Sequence, residues 1–191
     1  MDEKELIQQV KAGSVSEFNL IVKIFEDTII NICYGFLHNR EDAEDIAQEV
    51  FIEIFFSIKD FRHDSTLKTW IYRIAVNKSL DYQRKLKRKK RIAGFEKLIG
   101  LNNLNYNNIP SDYPDPQSSL EYDEKEKILL NAIEKLPESQ KVAFHLHKFE
   151  NISYSEISLI MDVTIPAVES LLHRAKNNLK KTLGQYYHGN L

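Results

Sequence analysis

Acidic side chains crowd the stretch from Glu41 to Asp60, where seven carboxylates face a single cation, Lys59. Carboxylates at helical spacing can meet a basic protein surface or coordinate a hard cation. A metal site is the weaker interpretation, because no His accompanies them in the Glu-x-x-His arrangement of di-metal bundles and the glycine of a hard-cation loop is missing. The pattern indicates a solvated acidic face suited to contact with a basic protein.

The next stretch has the opposite charge. From Arg62 to Arg91 it carries eleven Lys or Arg against two Asp, and seven of the eight residues from Arg84 onward are cations. Such a run repels itself unless a polyanion neutralises it, so it favours steeply salt-dependent binding of nucleic acid. The alternative is a solvated helix end, whose cations keep the protein soluble and complement the negative end of the helix macrodipole.

A polar face with one aromatic residue precedes the cationic run. Its members recur every three or four residues and are Trp70, Arg73, Asn77, Asp81 and Arg84. One exposed helix face of this kind can stack unpaired bases and follow a phosphate backbone. The alternative for Trp70 is an ordinary core aromatic.

Signals of catalysis are missing from the sequence. It has no phosphate-binding GK[ST] loop, no Gly-x-Ser-x-Gly elbow and no dinucleotide fingerprint. His145 and His147 are two residues apart on a predicted helix and point about 200° apart, so they are predicted to serve packing or solvent roles rather than to pair on a metal. The lone Cys33 lies in an apolar segment and is predicted to be buried and inert. We therefore expect no enzyme, no catalytic residue, no metal site and no cofactor.

Composition and periodicity predict an all-α fold. With 191 residues and 42% hydrophobic residues the chain can bury ordinary cores, and its apolar residues recur at helical rather than strand spacing. It has no apolar run long enough for a membrane span and no signal-peptide pattern at its start, so we expect a cytoplasmic protein without membrane insertion.

Three regions follow from the pattern of helices and helix breakers. Residues 93–119 hold a cluster of asparagines and three of the five prolines, so they are predicted to be an extended linker. Residues 1–92 are predicted to be a helical bundle, whose helices begin near Ser14, Asn39 and Thr66. Residues 120–191 are predicted to be a four-helix domain that ends in a helix-turn-helix, with a capping box at Ser153 and a turn at Asp162.

Four segments in order carry a family resemblance: DAEDIAQEVF from Asp42, TWIYRIAVNK from Thr69, LPESQ from Leu136 and VESLLHRAK from Val168. They resemble the extracytoplasmic-function group of bacterial sigma factors, in the sigma-70 family. The resemblance implies region two over 1–92 and region four over 120–191, which join core RNA polymerase and direct promoter recognition, melting and transcription initiation. It also implies promoter DNA, duplex and single-stranded, and an anti-sigma factor as partners.

The resemblance assigns three surfaces. The polymerase-binding residues would be Asp42, Glu44, Asp45, Gln48 and Glu49. The minus-ten DNA-binding residues would be His63, Asp64, Ser65, Trp70, Arg73, Asn77, Lys78, Arg84 and Lys85. The minus-thirty-five DNA-binding residues would be Ser153, Tyr154, Thr164, Ala167, Ser170, Leu171, Arg174 and Lys176.

Two other functions fit parts of the sequence. A stand-alone helix-turn-helix regulator would bind duplex DNA as a dimer, but it would leave the acidic helix unexplained. A small metal-dependent nuclease would use the carboxylates of the acidic stretch.

Overall fold

A computed structural model describes residues 2–98 and 124–188, with side chains over 2–92 and 127–185. Regular secondary structure in these ranges is entirely helical, which confirms the predicted all-α class. No helix among the described residues is both long and apolar enough to cross a membrane. The elements are α1 (Glu3–Lys11), α2 (Val15–Leu37), α3 (Arg40–Ser57), a 3-10 turn (Ile58–Asp60), α4 (Leu67–Leu98), α5 (Glu124–Glu134), α6 (Glu138–Lys148), α7 (Tyr154–Met161) and α8 (Ile165–His188).

The chain forms two compact units. The first holds Met1–Phe61 together with α4 from Ile74 onward, and the second holds Arg62–Arg73 together with helices α5 to α8. The sequence instead placed the start of α4 with the N-terminal helices. Residues 99–119 of the predicted linker lie outside the described residues.

Apolar packing of α2 against α3 builds the core of the first unit, and α1 packs against α2 and the 3-10 turn. The stripe on α2 includes Cys33, which is fully buried as predicted. Burial raises the pKa of its thiol to about 11, so the thiol stays protonated and unreactive at neutral pH. The fully buried residues of α2 and α3 are Ile21, Ile29, Ile32, Cys33, Phe36, Ala43, Val50 and Ile54.

Polar contacts fasten α4 to the two helices before it. The buried Gln83 amide donates to the carbonyl of Phe36, near the C-terminal end of α2 (3.0 Å). The Tyr82 hydroxyl donates to the Asp42 carboxylate at the start of α3 (2.8 Å). The Gln83 bond satisfies a carbonyl that a helix end leaves without an intrahelical partner. Together the contacts fix the direction of this part of α4 relative to α2 and α3 within the first unit.

The second unit is organised around α8, which packs against α5, α6 and α7. Its apolar core includes Ala132, Ile133 and Leu136 facing Ala175 and Leu179. An ion pair is enclosed at the α5–α6 corner. Lys141 is 2% exposed, and its ammonium lies 3.1 Å from both carboxylate oxygens of Glu134. Removing one partner would leave the other charge buried without a counter-charge. This loss lowers the free energy of unfolding by more than the intact pair raises it.

Local signals place most helix ends as predicted. The Asn39 side chain accepts from the backbone N–H of Asp42, so it caps α3. The capping box of Ser153 and Glu156 opens α7, and Asp162 ends that helix in the left-handed conformation. Ser14 differs, because its hydroxyl bonds to the Glu17 carboxylate and does not cap the backbone of α2.

Two helix limits were not predicted. Helix α1 was missed, although it buries Ile7 and Val10, because nine residues give little periodicity. Helix α4 continues to Leu98, past residue 92 where the helical bundle was predicted to end, because no proline follows until Pro110.

We expect Tyr82→Phe to lower the free energy of unfolding by about 1 kcal/mol, because Asp42 loses a hydrogen bond between helices. Burial, with the adjacent Asp42, raises the pKa of Tyr82 to about 12. The contribution is therefore complete below pH 10 and is lost as the pH rises through 12. Urea unfolding at pH 7 measures the loss. Asp42→Asn keeps an acceptor oxygen and should cost less, and equal stability of Tyr82→Phe and wild type would contradict the role.

Candidate protein and nucleic-acid interfaces

The outward face of α3 carries three of the five predicted polymerase-binding residues. Asp45, Gln48 and Glu49 are exposed, and they follow one another within about one turn of the helix. The buried residues of α3, such as Ile46 and Val50, lie on the opposite side. The three polar side chains are therefore available to a partner without disturbing the core.

The other two predicted residues of α3 are engaged within the chain. Asp42 is half-buried and accepts the hydrogen bond from Tyr82. Glu44 pairs with Arg40 one turn earlier. Among the described residues, no group of three or more His, Cys, Asp or Glu is placed to hold a metal ion.

Lys78 lies on the side of α4 that faces these carboxylates. Its ammonium is 2.9 Å from Glu53 and 3.8 Å from Glu49. The hydrogen bond that the Lys78 ammonium donates to the Glu53 carboxylate is the largest cause that raises the pKa of Lys78, so the amine stays charged. The sequence assigned Lys78 to DNA, whereas in this structure it joins α4 to α3.

The loop before α4 is held at both of its ends. Phe61 is buried, and its carbonyl accepts from the Lys11 ammonium (2.7 Å). The Thr66 hydroxyl accepts from the backbone N–H of Thr69, which caps α4 (3.2 Å). Between these ends His63 and Asp64 are exposed, and Ser65 is half-buried. His63 has a φ of 60°, so the backbone turns sharply there.

The predicted DNA-facing side of α4 is only partly open. Asn77 is exposed and Trp70 is half-buried. Arg73 donates to the carbonyl of Leu159 in α7, within the second unit. Lys68 forms an ion pair with Glu156 of α7 (3.2 Å). These two contacts explain why Arg62–Arg73 belong to the second unit.

The cationic end of α4 is a solvated surface. Arg84, Lys85, Arg88 and Lys89 are exposed. Arg84 pairs with Asp81 (3.0 Å). Since exposed pairs of this type contribute little, the positive charge remains available to phosphate.

The helix-turn-helix exposes most of its predicted residues. Thr164 caps α8 through the backbone N–H of Ala167 (3.4 Å), and Arg174 donates to the carbonyl of Ser170 (3.2 Å). Lys176 is exposed, as are Thr164, Ser170 and Arg174, whereas Ala167 is half-buried. These side chains lie on the first three turns of α8, where a recognition helix contacts base edges.

Leu171 differs from the prediction, because it is 9% exposed and belongs to the apolar core. Leu171 is also part of the apolar stripe of α8, so its side chain packs against the other helices and does not face solvent. We leave Leu171 out of the DNA-facing set.

Helix α6 supplies a positioning residue that sequence reasoning missed. The His147 ring nitrogen Nδ1 lies 3.2 Å from the carbonyl of Ile152, so it must donate the bond. Its ring meets Tyr154 edge-on at 5.0 Å. These contacts hold the turn that leads into Ser153, whose hydroxyl is already engaged with Glu156. Spacing favoured packing or solvent roles for His145 and His147 over a metal pair, but it did not show which backbone group His147 would hold.

Comparisons with known proteins agree with this architecture. The Sigma-70 region 2 family model matches residues 21–89, and the Sigma-70, region 4 family model matches residues 126–179. The ECF RNA polymerase sigma factor SigW of Bacillus subtilis is 34% identical over 184 residues, which cover 94% of this chain and 96% of that protein. The chain is a member of the extracytoplasmic-function sigma factors of the sigma-70 family.

Another relative supports the assignment of this sigma factor to the extracytoplasmic-function group. The ECF RNA polymerase sigma-E factor of Haemophilus influenzae is 30% identical, over 96% of each chain. Two solved structures share the fold. CnrH in complex with the cytosolic domain of CnrY matches with a TM-score of 0.66 at 19% identity, over 95% of this chain and 97% of that chain. The sigma factor RpoE in complex with the anti-sigma factor NepR, from Bartonella quintana, matches with a TM-score of 0.63 at 20% identity, over 89% and 98%.

The sigma factor therefore directs RNA polymerase in transcription initiation. A stand-alone dimeric regulator is not favoured, since the region 2 match covers the N-terminal helices that such a regulator would not need.

We expect Ser153→Ala to destabilise the second unit by about 1 kcal/mol, because the helix α7 loses its capping side chain. The Ser153 hydroxyl is the largest cause that lowers the pKa of Glu156. The stabilisation from Glu156 is thus present above pH 4.5 and is lost as the pH falls below it. Thermal unfolding between pH 3 and pH 7 should show a flatter acid dependence in the variant. Ser139→Ala, at an exposed serine of α6, is the control, and a variant with the wild-type acid profile would contradict the cap.

Proposed function

We propose that the outward face of α3 binds core RNA polymerase, while the exposed side of α4 and the loop before it bind the separated minus-ten strand. The proposal is carried by one observation: Asp45, Gln48 and Glu49 are exposed and point away from the core. By contrast, Asp42 is bound by Tyr82, Glu53 by Lys78 and Glu44 by Arg40. Of the three exposed residues, Glu49 also lies 3.8 Å from the Lys78 ammonium. Charge complementarity with a basic helix would steer and orient the encounter.

Within the minus-ten surface, the groups have different roles. Trp70 would stack an unpaired base, and Asn77 would bond to the strand. His63, Asp64 and Ser65 line a short loop that is anchored by Phe61 on one side and can accommodate a base turned out of the stack. The cations from Arg84 to Arg91 would neutralise phosphates.

The helix-turn-helix would bind the duplex minus-thirty-five element. Helix α8 would enter the major groove with Thr164, Ser170, Arg174 and Lys176 toward the DNA, while Ser153 and Tyr154 at the start of α7 would contact the backbone. The predicted limits of region two at 1–92, of the linker at 93–119 and of region four at 120–191 remain part of this proposal.

The partners and the location follow from the same assignment. An anti-sigma factor would mask these surfaces, and the complexes of RpoE with NepR and of CnrH with CnrY offer an analogy for it. A polymerase partner places the chain in the cytoplasm. We propose no catalytic role, since the contribution of the chain is binding. Transcription with purified core polymerase over a genomic fragment library tests the function and yields the promoter sequence.

The double variant Asp45→Arg with Glu49→Arg should weaken binding to core polymerase at least about tenfold, because two attractive contacts become repulsive. Both side chains are exposed, so the fold should be kept, with a small decrease in melting temperature because Glu49 lies 3.8 Å from Lys78. A pull-down of core enzyme with tagged variants measures the loss. The matched control is Glu26→Arg with Asp27→Arg, an exposed acidic pair on α2. Normal recovery of core enzyme by the α3 variant would refute the assignment.

Trp70→Ala should slow promoter opening by roughly 5- to 100-fold while leaving initial binding of the closed duplex nearly unchanged, because base stacking contributes about 1 to 3 kcal/mol. Stopped-flow fluorescence of the holoenzyme on a labelled promoter separates the two steps. Trp70→Phe keeps a ring and should recover part of the rate. If Trp70→Ala chiefly lowers the melting temperature, the ring is a core residue and the site assignment is wrong.

A further inference from the structure

The C-terminal half of α3 exposes an apolar patch on a helix that is otherwise polar outside. Ile52 is 57% exposed and Phe56 is 65% exposed, and they lie one turn apart. Val50 and Ile54 of α3, and Ile58 in the 3-10 turn that follows it, are buried on the other side. The unit therefore does not need Ile52 and Phe56 for its core, and apolar groups kept in solvent indicate a surface for binding.

The patch continues the face that carries the carboxylates. Asp45, Gln48, Ile52 and Phe56 are separated by three or four residues, so they form a single row along α3. All four are exposed. At 1.5 Å per residue the row is about 16 Å long, which matches about three turns of a partner helix.

The aromatic end of the row is held in place before any partner binds. Phe18 of α2 meets the Phe55 ring edge-on with 4.9 Å between the centroids, and Phe55 meets Phe56 in the same manner at 5.5 Å. A chain of three rings thus links the exposed Phe56 to the packed α2–α3 interface. An aromatic side chain that is already restrained loses little entropy on binding, which is a property of residues that dominate interface affinity.

We propose that Ile52 and Phe56 form the apolar anchor of the polymerase contact and receive an aliphatic or aromatic side chain of the same partner helix whose cations meet Asp45 and Glu49. This inference rests on the proposed binding of core polymerase by α3. The charge distribution supports this single occupant, because a helix with cations at one end and an apolar group two turns on complements the row. The acidic half of the row, at Asp45, selects the partner and sets the direction of its helix. The apolar half, Ile52 and Phe56, slows dissociation.

The test measures the affinity of the full-length chain for purified core polymerase by fluorescence anisotropy at about 0.05 M and about 0.5 M salt. Phe56→Ala should reduce affinity at least about tenfold at both salt concentrations, since an apolar contact is not screened. Asp45→Arg should reduce affinity mainly at low salt. Ile24→Ala, at an α2 side chain that is 63% exposed, is the matched control and should bind as wild type.

The outcomes separate the two proposals. If Phe56→Ala and Ile52→Ala bind within about twofold of wild type while Asp45→Arg with Glu49→Arg binds weakly, the apolar anchor is overturned and the polymerase face stands. If all three variants bind normally, the polymerase face itself is wrong. Should Phe56→Ala lower the melting temperature by more than about 5 °C, Ile52→Ala alone decides the anchor, because that side chain makes none of the ring contacts.

Discussion

The contact between α3 and α4 is the constraint on which the rest of the first unit depends. Tyr82 and Lys78 are one turn apart on α4 and hold Asp42 and Glu53 of α3, while the buried Gln83 bonds to the end of α2. Each bond alone contributes little to stability. Together they fix the rotation of α4 about its own axis, so the direction of Asn77 and of the cationic end is fixed as well.

This constraint divides the surface of α3 among three neighbours. Its apolar stripe packs on α2, one row of carboxylates meets α4, and the remaining row faces outward. A helix with 3.6 residues per turn can present three such rows without conflict. The total charge of α3 therefore overstates what a partner protein can bind, because Asp42 and Glu53 are already engaged within the chain.

In the second unit, packing around one helix takes the place of the polar contacts that orient α4 in the first unit. Helix α8, which we propose as the recognition helix, is also the packing centre for α5, α6 and α7, so its apolar side is occupied and its orientation is fixed. The enclosed Lys141–Glu134 pair and the left-handed Asp162 restrict the alternatives further. In the proposed complex, the polar groups on the outer side of α8 would be presented to a DNA groove on a rigid element, which favours specific contacts.

The sequence by itself determined the all-α class, the motifs of the family and the helix ends at Asn39, Ser153 and Asp162, because caps, turns and hydrophobic periodicity act over a few residues. Only the tertiary structure decided that Lys78 faces α3 and that Leu171 enters the core. Spacing shows which residues share a helix face, whereas the neighbour that covers the edge of that face comes from distant parts of the chain. Side chains at such edges are buried, paired or exposed according to packing, which no local pattern encodes.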